Sequence, residues 1–102
     1  MPFYIYDYTL SEQGLSSIKD IPTVINNHYK DIEAIGGKAV ETYYVFGDSR
    51  LLSIVEFPDD GTVEIWNLGN PEDPTNAFWE PNFSVKKIFS LEEFTDIVRK
   101  LP

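Results

Sequence analysis

The spacing of hydrophobic and polar positions changes several times along the chain. Residues 3–8 alternate with a period of two, Phe3 and Ile5 to one side and Tyr4, Tyr6 and Tyr8 to the other. This predicts a strand with a row of three phenols on one face. Thr9-Leu10-Ser11-Glu12 has the spacing of a capping box, with Thr9 as the cap. It predicts a short helix over about 11–19. Pro22 then breaks the helix, because its ring would meet the carbonyl of Ile18. With Asp20 as a new cap, Pro22 falls in a first turn where no amide hydrogen is needed. A main helix over about 21–35 follows, and Ile18, Ile21, Ile25, His28, Ile32 and Ile35 recur at intervals of three and four as its core stripe.

Gly36-Gly37 ends that helix. Alternation returns over 38–46 and 51–57, separated by the turn Gly47-Asp48-Ser49-Arg50, and predicts a hairpin. Neither strand has a polar face, so both faces of this sheet are expected to be covered. Asp59 or Asp60 caps a helix over about 61–68, and residues 69–81 read as a loop rich in Pro, Asn and Gly. Residues 83–89 form a fourth strand, whose Lys86 and Lys87 suit an edge. Ser90-Leu91-Glu92-Glu93 repeats the capping pattern and opens a last helix with Phe94, Ile97, Val98 and Leu101 on its apolar side.

The order strand, helix, strand, strand, helix, strand gives an α+β fold. It is the split βαβ, or ferredoxin-like, arrangement with a C-terminal helix and a four-stranded antiparallel sheet, in one domain over 1–102. The helices cover one sheet face. The other is expected to bear Tyr4, Tyr6, Tyr8, Glu41, Tyr43, Leu52, Ile54 and Glu56, too apolar a set to meet water. A two-fold homodimer that stacks two such sheets would cover it.

Composition narrows the chemistry. Seventeen acidic against eight basic residues leave a net charge of −9, which repels nucleic-acid backbones and anionic membranes, so neither is an expected partner. With no cysteine and one histidine, thiolate chemistry is excluded and a metal site is not expected. There is no phosphate-binding glycine loop, nucleophile elbow or dinucleotide fingerprint, and no cofactor is expected. No secretory leader is visible at Met1-Pro2-Phe3-Tyr4, and a cytoplasmic location is the default.

The chain resembles the GYD domain family. The resemblance rests on Tyr8-Thr9 with Gln13-Gly14, Gly36-Gly37-Lys38, Tyr43, Gly47, Val55-Glu56 with Pro58-Asp59-Asp60, and the ending Phe94-Thr95-Asp96-Ile97-Val98-Arg99-Lys100-Leu101. The hairpin turn departs from the family's Gly-x-Tyr-Asp pattern, matching only at Gly47. The resemblance implies a ferredoxin-like fold and assembly as a dimeric α+β barrel, and brings no substrate.

Tyr4, Tyr6, Tyr8, Glu41, Tyr43 and Glu56 are the candidate ligand-binding residues. Phenols orient a small organic ligand, and a carboxylate enclosed by aromatic rings is held in its neutral form. Phe78 and Trp79 on the long loop are candidate partner contacts, or a cover folded back on the sheet. The function expected is a homo-oligomeric small-molecule-binding or regulatory module, not an enzyme. The alternatives are a cofactor-independent monooxygenase or isomerase, and an interaction module using the 70–82 loop.

Overall fold

The computed structural model describes residues 1–102. Its elements run β1 (Phe3–Thr9), α1 (Glu12–Ser16), α2 (Ile21–Ala34), β2 (Lys38–Val45), β3 (Arg50–Glu56), α3 (Asp60–Leu68), β4 (Ser84–Ile88) and α4 (Leu91–Arg99). Short 3₁₀ turns lie at Ile18–Asp20 and Pro74–Phe78. The strands form one antiparallel sheet in the order β2-β3-β1-β4, which is the ferredoxin-like topology.

Helices α2 and α3 cover one face. Tyr4, Tyr6, Val55 and Phe57 pack there with Ile32 and Val63, and Leu51 packs with Leu10, Ile21 and Ile25. The register sets Tyr4 opposite Val55, Tyr6 opposite Ser53 and Tyr8 opposite Leu51, so all three phenols of β1 point under the helices. This corrects the expected placement of Tyr4, Tyr6 and Tyr8 on the open face. The open face holds Glu41, Tyr43, Leu52, Ile54 and Glu56, as expected, but their neighbours on β1 and β4 are Phe3, Ile5 and Ile88. The physical reason is hydrogen bonding. Under the helices Tyr4 Oη donates to Asp60 Oδ1 at 2.9 Å, Tyr6 Oη donates to Asn67 Oδ1 at 2.6 Å, and Tyr8 Oη pairs with Ser53 Oγ at 2.7 Å. Burial of a phenol is favourable once its hydroxyl is satisfied.

Capping refines the helix starts. Ser11, not Thr9, caps α1, its Oγ accepting from the Gly14 amide at 3.0 Å. Asp59 caps α3, its Oδ1 accepting from the Thr62 amide at 2.7 Å and from the Thr62 hydroxyl at 2.8 Å. These bonds hold the Asp59 carboxyl below its usual range. Ser90 and Glu93 form the full reciprocal box at α4.

Two parts of the chain have no cover. Strand β2 is an edge with most residues exposed, bulged between Ala39 and Glu41. Helix α4 has no buried residue, and its hydrogen bonds stay within its own segment. The molecule measures 51 × 31 × 20 Å, with a radius of gyration of 15.1 Å. A compact chain of this length would have about 13 Å. No helix is long and apolar enough to cross a membrane.

Candidate functional site

A cleft of about 650 Å³ opens between α2, α3 and the sheet, closed along one side by the 70–83 segment. Its walls are aromatic. Trp79 meets Tyr8 edge-on at 5.0 Å between ring centroids, His28 lies 5.7 Å from Trp66 and 6.0 Å from Trp79, and Tyr6 stacks on Phe83 at 6.2 Å.

Each wall is placed by a local rule. His28 belongs to the α2 stripe, one turn after Ile25, and is half-buried where that stripe leaves the isoleucine core. Trp66 sits on α3, whose start is fixed by Asp59 and Thr62. The Pro74–Phe78 turn brings in Trp79. Its Asp73 cap accepts from the Thr75 amide at 2.9 Å and from the Thr75 hydroxyl at 2.8 Å. The turn is tied to the α1 start by the Ser11 amide donating to the Phe78 carbonyl at 2.9 Å and by Ser11 Oγ donating to the Ala77 carbonyl at 2.6 Å. Beyond it, the Glu80 amide donates to the Thr9 carbonyl at 2.8 Å and Leu10 bridges Trp79. Gly14 makes this docking possible, because a Cβ there would overlap the Phe78 carbonyl oxygen.

The cleft floor carries a chain of four hydroxyls. Tyr8 Oη pairs with Ser53 Oγ at 2.7 Å, Ser53 Oγ with Thr42 Oγ1 at 2.9 Å, and Thr42 Oγ1 with Tyr29 Oη at 2.6 Å. Four hydroxyls joined by three bonds use three of their four hydrogens. One O–H is therefore left over, and three of the four hydroxyls, those of Tyr8, Ser53 and Tyr29, line the cleft. Burial pushes the Tyr8 phenol up to about 12, against the opposing pull of its Ser53 bond. Burial also raises Tyr6. Both phenols stay protonated near neutral pH, acting as hydrogen-bond donors and not as bases.

Burial lowers the affinity of His28 for a proton, and the charges of Asp73 and Asp31 offset this in part. The imidazole is neutral at pH 7. The unfolded chain therefore binds the His28 proton more readily than the folded one. Stability from this group is complete above the unfolded value of about 6.5 and is lost as the pH falls below it. We expect urea midpoints of the wild type to fall more steeply between pH 7.5 and 5.5 than those of His28→Gln. Equal slopes would show that His28 is not desolvated.

Asp31, Asp73 and Glu80 lie at the rim, and no lysine or arginine lines the cleft. The Thr75 bonds hold Asp73 below the usual carboxylate range, so its charge persists in mild acid. An aromatic cavity with this rim accepts a planar apolar body, uncharged or cationic, and repels anions. No three His, Asp or Glu side chains converge as metal ligands.

The sequence-predicted candidates divide between two places. Tyr6 and Tyr8 line the cleft; Tyr4 lies deeper, beside Phe57. Glu41, Tyr43 and Glu56 are on the opposite face, outside the cleft, and Glu41 is exposed with its Oε1 accepting from the Thr42 amide at 3.0 Å. Phe78 and Trp79 fold back onto their own chain, against the cluster of Leu10, Ile21, Ile25 and Leu51. Pattern reading did not assign Tyr29, Ser53 or Trp66 to a site. One usable signal was present: Thr42 and Ser53 are small polar residues on otherwise apolar strand faces, directly opposite each other.

A family model described as GYD domain matches residues 4–68, from β1 to the end of α3. That span holds Tyr6, Tyr8, His28, Tyr29, Ser53 and Trp66, and stops before Trp79 and α4. A search of curated proteins finds no match to the chain.

Proposed function

The chain belongs to the GYD domain family, and for this member we propose a binding function: a homo-oligomeric module that holds a small, largely apolar organic ligand in the cleft beneath α2 and α3. The observation that carries this reading is an aromatic-walled cleft whose floor carries one uncommitted hydroxyl hydrogen. The walls supply dispersion and apolar burial. The spare hydroxyl fixes orientation by bonding a ligand oxygen or nitrogen. The carboxylate rim discriminates against acids. On the other face of the sheet, Ile5, Tyr43, Leu52, Ile54 and Ile88 support two-fold stacking of two copies.

The chain reports on its own cleft, because its only two tryptophans, Trp66 and Trp79, both line it. Titration with uncharged bicyclic aromatics such as indole and 2-naphthol is expected to change tryptophan emission saturably. Naphthoate, an anion of similar shape, should bind more weakly. Tyr8→Phe should weaken 2-naphthol by up to about tenfold, the scale of one hydrogen bond. A response that does not saturate, or one that survives unchanged in Trp79→Ala, would overturn the reading.

A further inference from the structure

Helix α4 has an apolar side with no buried residue. Phe94, Ile97, Val98 and Leu101 are between 44% and 66% exposed. Nine-residue helices fall below the roughly 12–15 residues at which helices hold by themselves in water. A well-capped helix of this size needs packing, and its own chain supplies none.

Strand β2 is in a matching condition. Val40 and Tyr44 are exposed along it, and Phe46, just beyond its end, is 98% exposed. An uncovered edge with such side chains invites association. The bulge between Ala39 and Glu41 confines regular pairing on β2 to Glu41–Val45, which shortens the edge open to a further strand. A helix laid on the side chains covers them without needing the ladder. The strand order puts β2 and β4 on opposite edges, three strand spacings or about 14 Å apart. Because α4 starts three residues after β4 ends, it cannot run along the β2 edge of its own chain.

We propose that α4 is an exchanged arm, which lays Phe94, Ile97, Val98 and Leu101 on Val40, Tyr44 and Phe46 of a second copy and receives that copy's arm in return. The exchange is reciprocal, so a two-fold closes it at the dimer. Aromatic side chains bury about 150–250 Å² each when fully covered. Tyr44, Phe46 and Phe94 from each copy, with the aliphatic residues around them, approach the about 800 Å² per partner of a stable dimer. Charge is compatible with the same seat. The arm bears Glu92, Glu93 and Asp96 in its first turns and Arg99 and Lys100 at its end; on β2 Lys38 is exposed and in no ion pair, whereas Arg50, opposite Val45, is already bonded to Asp7 and Asp48. The cleft, by contrast, presents Asp31, Asp73 and Glu80 to an acidic arm and no cation.

The absence of native cysteine permits a direct test. Full-length wild type is expected to be a dimer by light scattering at micromolar concentration, and Phe94→Asp/Ile97→Asp a folded protein that dimerises about tenfold or more weakly, the sheet face remaining intact. Under mild oxidation, Phe46→Cys/Ile97→Cys should form a covalent dimer that neither single variant gives in comparable yield. A monomeric wild type overturns the proposal, as does a dimer untouched by the aspartates. Preferential cross-linking of Ile97→Cys to Ile65→Cys, in the cleft, would also overturn it. Tryptophan titration of the aspartate variant separates this outcome from the ligand reading, since the cleft is built within one chain.

Discussion

Phe57→Ala is expected to lower the unfolding free energy by about 3–5 kcal/mol, the range for removing a fully buried phenylalanine. Phe57 is 0% exposed. Its ring lies 6.0 Å from that of Tyr4 and 6.5 Å from that of Tyr6, and it presses so closely on Gly37 that a Cβ there would come within 2.8 Å of it. The surrounding groups are held in place, so the cavity cannot readily collapse. Tyr4 is tied to Asp60 and Tyr6 to Asn67, and Gly37 is anchored by its amide donating to the Ile32 carbonyl at 2.9 Å. Domains of this size have a total stability of about 5–15 kcal/mol, so the loss is a large share of it. Urea denaturation should show a lower midpoint with an unchanged slope. A loss below about 1 kcal/mol would mean that Phe57 does not organise the core.

Gly14→Ala should cost about 1–3 kcal/mol, the usual scale of overpacking, although alanine is the better helix former by about 1 kcal/mol. The new methyl would overlap the Phe78 carbonyl oxygen, a backbone atom that cannot rotate away. The Pro74–Phe78 turn would have to lift from α1, breaking the Ser11 bonds to Phe78 and Ala77. Trp79 would move with it. The expected signature is therefore double: a lower urea midpoint, and a red-shifted tryptophan emission with weaker 2-naphthol binding. Gly61→Ala is the control. Its new methyl would come no closer than 3.4 Å to any neighbour, and its φ is not positive. It should leave both readouts near wild type. If Gly14→Ala behaved like Gly61→Ala, the turn would not be docked as described.

The ferredoxin-like order could be read from local rules. The change of period at Ile18, the break at Pro22, the glycine pair after α2 and the Ser90 capping pattern each act within a few residues. The facing of β1 could not be read this way. Both sides of that strand are apolar enough to be buried, and the choice is made by hydroxyl partners 45 to 61 residues away, at Ser53, Asp60 and Asn67. Ser11 took the cap from Thr9 because Thr9 is held in β1 opposite Arg50. The cleft was hidden for a related reason. His28, Trp66 and Trp79 come from α2, α3 and the following segment, and no spacing in sequence announces that they meet. Half of the candidate set reached the cleft or its base through β1. Glu41, Tyr43 and Glu56 did not, because the pairing Tyr43–Leu52 and Lys38–Glu56 fixes them on the other side.

The hydroxyl row from Tyr8 to Tyr29 can run head to tail in either of two senses. Rotating all four O–H bonds together reverses the direction of every hydrogen bond while no heavy atom moves. In one sense Tyr8 offers a hydrogen to the cleft and Tyr29 offers a lone pair; in the other the roles are exchanged. A guest bearing a carbonyl and a guest bearing a hydroxyl can thus meet the same oxygen in the same place. The floor then imposes little polarity of its own, and discrimination among uncharged guests falls to the shape of the aromatic walls.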